Sequence, residues 1–179
     1  MSFIDCLPVI LRSEGGFVDD PHDPGGATNL GITLNTLSSW LKETATVEEV
    51  KALTDADVSP IYQALYWNVA HCDDCPAGVD LMVFDEAVNQ GPGRAICTLQ
   101  AAVGVTADGL FGPATAAAVA AADPTATIDA MASARNAYYR SLTNFPRFGH
   151  GWLDRVQITT EAAIAMVQPA APAPAAAGA

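Results

Sequence analysis

The chain reads as a mainly α fold, with one small β element near its N-terminus and a helical subdomain at its C-terminal end. Three observations predict this. Apolar residues recur at helical spacing along most of the 179 residues. Helix-start signals precede most of those periodic stretches. One stretch, "GGATNLGIT" at 25–33, is too rich in glycine for a helix and has room for a short hairpin.

The first helix carries Phe3, Leu7, Ile10 and Leu11 on one face. Pro8 lacks an N–H and crowds the turn before it, so the helix is expected to start there, with Pro8 in its first turn. Gly15 and Gly16 end it. After the hairpin, Thr33 caps a second helix that presents Leu34, Leu37, Trp40 and Leu41. "TVEE" from Thr46 and "TDAD" from Thr54 are capping boxes that begin two more helices. The second of these carries Val58, Ile61, Leu65 and Tyr66 and ends near Trp67. "VDLMVFDEAVNQ" at 79–90 is a strongly apolar helix stopped by "GPG". The next helix is expected from Arg94, with Ile96, Leu99 and Val103 inward. Pro113 suits the first position of another, Asp123-Pro124 opens a long one through Tyr138, and "GWLDRVQITTEAAIAMV" gives the last. The tail "QPAAPAPAAAGA" is Ala/Pro low complexity, expected to be flexible or extended.

Half the residues are hydrophobic, enough for one well-cored domain or a domain with a small subdomain. No apolar run reaches the ~20 residues a membrane span needs, so stable membrane insertion is not expected. The N-terminus has an aspartate inside its apolar stretch and no basic n-region, and makes a poor signal peptide. Net charge is −12, with two lysines and six arginines and no basic stripe. Nucleic-acid binding needs phosphate neutralisation, so this balance argues against it. Cys6, Cys72, Cys75 and Cys97 read as free, partly buried thiols, and a monomer is expected.

The chemistry gathers in 14–33, "EGGFVDDPHDPGGATNLGIT". Glu14 follows the last apolar turn of its helix, where the negative end of the helix dipole disfavours an ionised carboxylate. Shielding by Leu11, Phe17 or Ile32 would act the same way, and both favour a general acid that keeps its proton near neutral pH. Glycosidic hydrolysis pairs such an acid with a second carboxylate that stays ionised. Asp19, Asp20 and Asp23 are the local supply, and Thr28 is placed to hold a water. The plainer reading makes Glu14 a solvated helix end and the aspartates turn formers beside Pro21 and Pro24.

This stretch resembles the signature of the phage-associated muramidases of glycoside hydrolase family 108, in which a catalytic glutamate lies in "EGG", followed by "DPGG" and "T-x-x-GIT". "YWNVAHCDDCPAGVDLMVFDEAVNQGPGRA" is similar to the rest of that family's catalytic domain. "LQAAVGVTADGLFGPAT" and "FGHGWLDRV" are similar to the peptidoglycan-binding domain that usually follows. The resemblance implies an α+β, lysozyme-like catalytic domain over 1–92, a helical peptidoglycan-binding subdomain over 93–167 and a tail over 168–179. It implies Glu14 as the catalytic acid, with Asp23 and Thr28 in an order similar to the Glu/Asp/Thr arrangement of phage-type lysozymes.

Other residues are weighed beside these. Asp85 and Asn89 lie four apart on the apolar helix and share a face, either lining the substrate cleft or forming a buried hydrogen-bond network. With Asp20, Asn29 and Tyr66 they complete the expected substrate-binding set. Glu86 stands where the family pattern is apolar and is taken as a surface change. "HCDDC" at 71–75 is one C-x-x-C pair where a structural zinc site needs two, so no metal and no cofactor is expected. Tyr138, Tyr139, Phe145, Phe148 and Trp152 divide between sugar stacking and core.

The expected activity is an endolysin's: hydrolysis of the β-1,4 bond between N-acetylmuramic acid and N-acetylglucosamine in peptidoglycan glycan strands. Such an enzyme would wait in the host cytoplasm until release to the cell wall. The alternatives are a lytic transglycosylase, which uses one acid and leaves a 1,6-anhydro end, and a non-catalytic wall-binding or phage structural module.

Overall fold

The structure, a computed structural model, describes residues 2–19 and 26–167. The expectations for Asp20, Asp23 and the 168–179 tail fall outside the described residues. The described chain forms nine α-helices and one two-stranded sheet, a mainly α, lysozyme-like arrangement.

Helix α1 spans Phe3–Ser13 and starts five residues earlier than Pro8 suggests. Asp5 turns back to Ser2 and accepts from both its backbone N–H (3.0 Å) and its hydroxyl (2.9 Å), which fixes the first turn. Pro8 is tolerated inside the helix because it lies on the exposed face with Ile4, where the carbonyl left without a partner meets water. The helix ends at Ser13 and passes into extended backbone at Glu14.

Strands β1 (Thr28–Asn29) and β2 (Ile32–Thr33) pair antiparallel, Thr28 opposite Thr33 and Asn29 opposite Ile32. Their two-residue turn is Leu30-Gly31, with φ of +49° and +73°, the left-handed pair that matches the twist of a tight hairpin. Thr28 also exchanges both backbone hydrogen bonds with Val18 at 2.8 Å, which ties the chain after Glu14 to the hairpin.

Helices α2 (Leu34–Leu41), α3 (Val47–Ala52) and α4 (Asp55–Tyr62) begin at Thr33, Thr46 and Thr54, whose hydroxyls accept from the backbone three residues on. Of the apolar face expected on α2, only Leu37 is fully buried. Helix α4 widens into one π turn, Gln63–Trp67, and this brings Tyr62 and Tyr66 onto the same side as the hairpin.

Helix α5 (Val79–Gln90) is the centre of the molecule, buried on every side from Val79 to Ala87. Phe84 packs edge-on against Trp67 (5.3 Å between rings) and lies 5.7 Å from Phe3. Around α5 stand α1, α6 (Pro92–Ala102), α8 (Pro124–Ser141) and α9 (Phe145–Val167), and α7 (Pro113–Ala121) is tied to α6 by a hydrogen bond from Gln100 to Thr115. Helix α6 starts at Pro92, not Arg94, because proline serves as the first helical residue. Helix α9 starts six residues before Gly151, and Gly149 survives within it because the Phe145 ring fills the space a side chain would take. No described helix is long and apolar enough to cross a membrane.

Candidate active site

Glu14 is delivered by the C-terminal end of α1 and leans over the Leu30-Gly31 turn. A Cβ on Gly31 would lie 2.8 Å from Glu14 Oε2 and would collide with the hydroxyl of Tyr62. Gly31 is therefore the position where only glycine leaves room for the carboxylate, on top of its positive φ. Tyr62 donates its hydroxyl to the Leu30 carbonyl (3.0 Å), which pins the turn beneath Glu14. Burial, and next the charge of Glu14, push the Tyr62 and Tyr66 phenols up, so both stand as neutral donors near the carboxylate.

The other oxygen of Glu14 is held from the opposite end of the chain. Arg155, on α9, donates Nη1 to Glu14 Oε1 at 2.8 Å. The same guanidinium donates Nε to Asp85 Oδ1 at 2.8 Å, with Nη2 in ion-pair contact with that oxygen at 2.8 Å. Asp85 is wholly buried on α5, and its second oxygen accepts from Arg135 Nη2 on α8 at 2.6 Å. Asn89, one turn beyond Asp85, presents its amide oxygen to the Arg155 nitrogens, 2.7 Å from Nε and 3.0 Å from each Nη, in the orientation that satisfies both side chains. Burial works against the charge on both arginines. The facing carboxylates outweigh it, Asp85 and Glu14 at Arg155 and Asp85 foremost at Arg135, and both pKa values rise. Acidic and basic side chains thus alternate from Glu14 through Arg155 and Asp85 to Arg135.

Glu86 lies behind this chain and is buried, not on the surface as its sequence context suggests. Thr98 donates to its Oε1 at 2.7 Å, while Oε2 meets no donor among the described residues. Burial pushes its carboxyl up to about 7, although Thr98, Arg135 and Arg94 pull the other way.

The structure brings Glu14, Asp85 and Asn89 together around Arg155, with Tyr66 beside Tyr62 on the Glu14 side. Thr28 sits at the base of the hairpin and donates to the Gly26 carbonyl at 3.3 Å. Asn29 faces α3, where its amide donates to the carbonyls of Val50, Lys51 and Leu53 at 3.1–3.4 Å. Arg155 and Arg135 are the residues that sequence reasoning did not single out. The signal for Arg135 is its place in the apolar stripe Ile128, Met131, Tyr139, and for both it is a buried aspartate on α5 that needs a cation.

The turn "DGLFGPAT" is organised by buried Gln100, which donates to Asp108, Leu110 and Thr115 (2.8–3.0 Å) and accepts from the Gly109 N–H. Of the aromatic group, Tyr139 is buried and stacks with Trp152 at 5.2 Å, and Phe148 remains 44% exposed. Burial pushes the Cys6 and Cys75 thiols up to about 12 and Cys72 up as well. No group of three or more potential metal-ligating side chains occurs among the described residues.

A glutamate at the end of the first helix leans over a short hairpin within a mainly α body of lysozyme-like architecture. The comparisons identify its class. Residues 7–91 match the Glycosyl hydrolase 108 family model and residues 94–157 match the model described as Predicted Peptidoglycan domain. A solved structure, SagA of Brucella abortus, is 43% identical with a TM-score of 0.83, covering 94% of this chain and 97% of that one. No curated protein matches the chain. The chain belongs to glycosyl hydrolase family 108, and it is a peptidoglycan-degrading enzyme.

Proposed function

We propose that the enzyme cleaves the β-1,4 bond between N-acetylmuramic acid and N-acetylglucosamine, with Glu14 as the general acid. The observation that carries this reading is the setting of Glu14: a carboxylate only 17% exposed, clamped through Oε1 by Arg155, with Oε2 against the side-chain-free face of Gly31. In the reaction Glu14 gives its proton to the glycosidic oxygen, which takes the electron pair of the breaking C–O bond. A second carboxylate accepts the proton of the attacking water or attacks the sugar itself. Asp23, nine residues on, is the candidate for that partner, and Thr28 for orienting the water. The spacing of these residues from Glu14 and the resemblance of 14–33 support those assignments. Around them Tyr66, Asn89 and Asp20 are the candidates for binding substrate, whereas Asp85 and Asn29, also expected there, are buried and act through the arginines and α3 carbonyls they hold. The reading as an endolysin released to the cell wall rests on the same resemblance.

The test is digestion of purified peptidoglycan by wild type and by Glu14→Gln, with the fragments analysed by mass. Fragments with reducing N-acetylmuramic acid ends are expected from the wild type, with rates at least ~100-fold lower in the variant. Anhydro ends would assign a lytic transglycosylase instead. Unchanged activity of the variant would remove Glu14 from the chemistry.

A further inference from the structure

We infer that Arg155 is a positioning residue for Glu14, itself held by Asp85, Asn89 and Arg135, so that the active site is completed by the C-terminal half of the chain. This rests on the reading of Glu14 as the acid. The residues come from four helices. Glu14 ends α1, Asp85 and Asn89 belong to the central α5, Arg135 to α8 and Arg155 to α9. Arg155 and Arg135 both fall within residues 94–157, the stretch that matches the peptidoglycan domain. The part of the chain associated with wall binding therefore supplies the contact that orients the acid.

The geometry fits positioning better than surface pairing. Arg155 is only 14% exposed and Asp85 1%, so solvent screens these contacts weakly. Arg155 engages Asp85 through two nitrogens and Glu14 through a third, which fixes the plane of the guanidinium and with it the orientation of Glu14 Oε1. Arg135 and Asn89 hold Asp85 and Arg155 in turn, so no member of the chain is free to swing.

The charge also bears on the chemical step. When Glu14 hands its proton from Oε2 to the glycosidic oxygen, it is left as a carboxylate. A guanidinium on Oε1 stabilises that carboxylate more than it stabilises the neutral acid, so the interaction strengthens as the proton leaves. Among the described residues the other groups facing Glu14 are the phenols of Tyr62 and Tyr66, with Asp85 and Arg135 behind Arg155.

The test compares wild type, Arg155→Gln, Arg155→Lys and Glu14→Gln on soluble glycan-strand oligosaccharides, measuring kcat and KM, with a thermal melt for each protein. For Arg155→Gln, kcat is expected to fall ~10- to 100-fold with KM changed much less. Arg155→Lys keeps the charge and loses the fork. Its kcat should be intermediate. A lower melting temperature with unchanged kcat and KM per folded molecule would overturn the inference, leaving Arg155 a structural residue. Should Arg155→Gln not fold, Arg155→Lys decides: wild-type kcat overturns the inference. If Glu14→Gln is as active as wild type, the acid assignment fails instead, and the two failures are distinguishable.

Discussion

Gly31 shows how one residue can be set by two requirements at once. Its φ of +73° closes the hairpin turn, and its missing side chain leaves room for Glu14 Oε2. Gly31→Ala should therefore strain the turn and push the carboxylate aside. A displacement of about 1 Å at a catalytic group costs on the order of 100-fold in rate. We expect kcat/KM on peptidoglycan oligosaccharides to drop by about that factor, with a lower melting temperature; a wild-type rate would show that Glu14 does not need this space. Glu14 was legible in the sequence because its motif is local, a carboxylate beside the Gly-Gly break at the end of an amphipathic helix. Arg155 was not, because its partner lies 141 residues away in sequence and no local rule links them. Glu86 misled for a related reason. A single glutamate in an apolar run reads as exposed unless the helix is known to be buried on all sides.

At the scale of elements, the hairpin and α3 are joined through one side chain. Asn29 donates to the carbonyls of Val50, Lys51 and Leu53 at the end of α3, of which Val50 also accepts from the Leu53 N–H at 3.3 Å. Asn29→Ala should destabilise the fold by about 1–3 kcal/mol, read from urea or thermal unfolding, because buried carbonyls lose their donor. A raised KM with an unchanged melting temperature would instead assign Asn29 to substrate. Helix starts set by side chain and backbone within three residues were readable, as at Thr33, Thr46, Thr54 and Asp123. The starts of α1, α6 and α9 were not, since each runs through a proline or glycine that only its surroundings make acceptable. Pro8 relies on solvent at its carbonyl partner, Pro92 on the first-turn position, and Gly149 on the Phe145 ring.

For the whole molecule, the buried carboxyl of Glu86 ties stability to pH. Its folded pKa, about 7, stands above the value near 4.5 expected when unfolded. Its contribution is full below about pH 4.5 and is lost as pH rises through 7, because the native state must then ionise a buried group. The loss is on the order of 3 kcal/mol. Glu86→Gln should raise the melting temperature by several degrees at pH 8.5 and change it little at pH 4. Equal effects at both values would mean that Glu86 is not the titrating group. The fold class, mainly helical with one small sheet, was legible because helical periodicity survives almost everywhere in the chain. The assembly of α5, α8 and α9 was not, because it depends on which buried charges meet.

The 141 residues between Glu14 and Arg155 also bear on how the protein is born. At about 5–20 residues per second, a ribosome needs roughly 7–30 s to travel from one to the other. During that interval the nascent chain carries its glutamate without the guanidinium that later clamps it. Asp85 waits as well, for Arg135 and Arg155, and a buried aspartate without its cations costs about 3–5 kcal/mol. Helix α5 thus gains its full place at the centre only when the last two long helices have left the exit tunnel. Maturation of the active site therefore waits for the synthesis of α9.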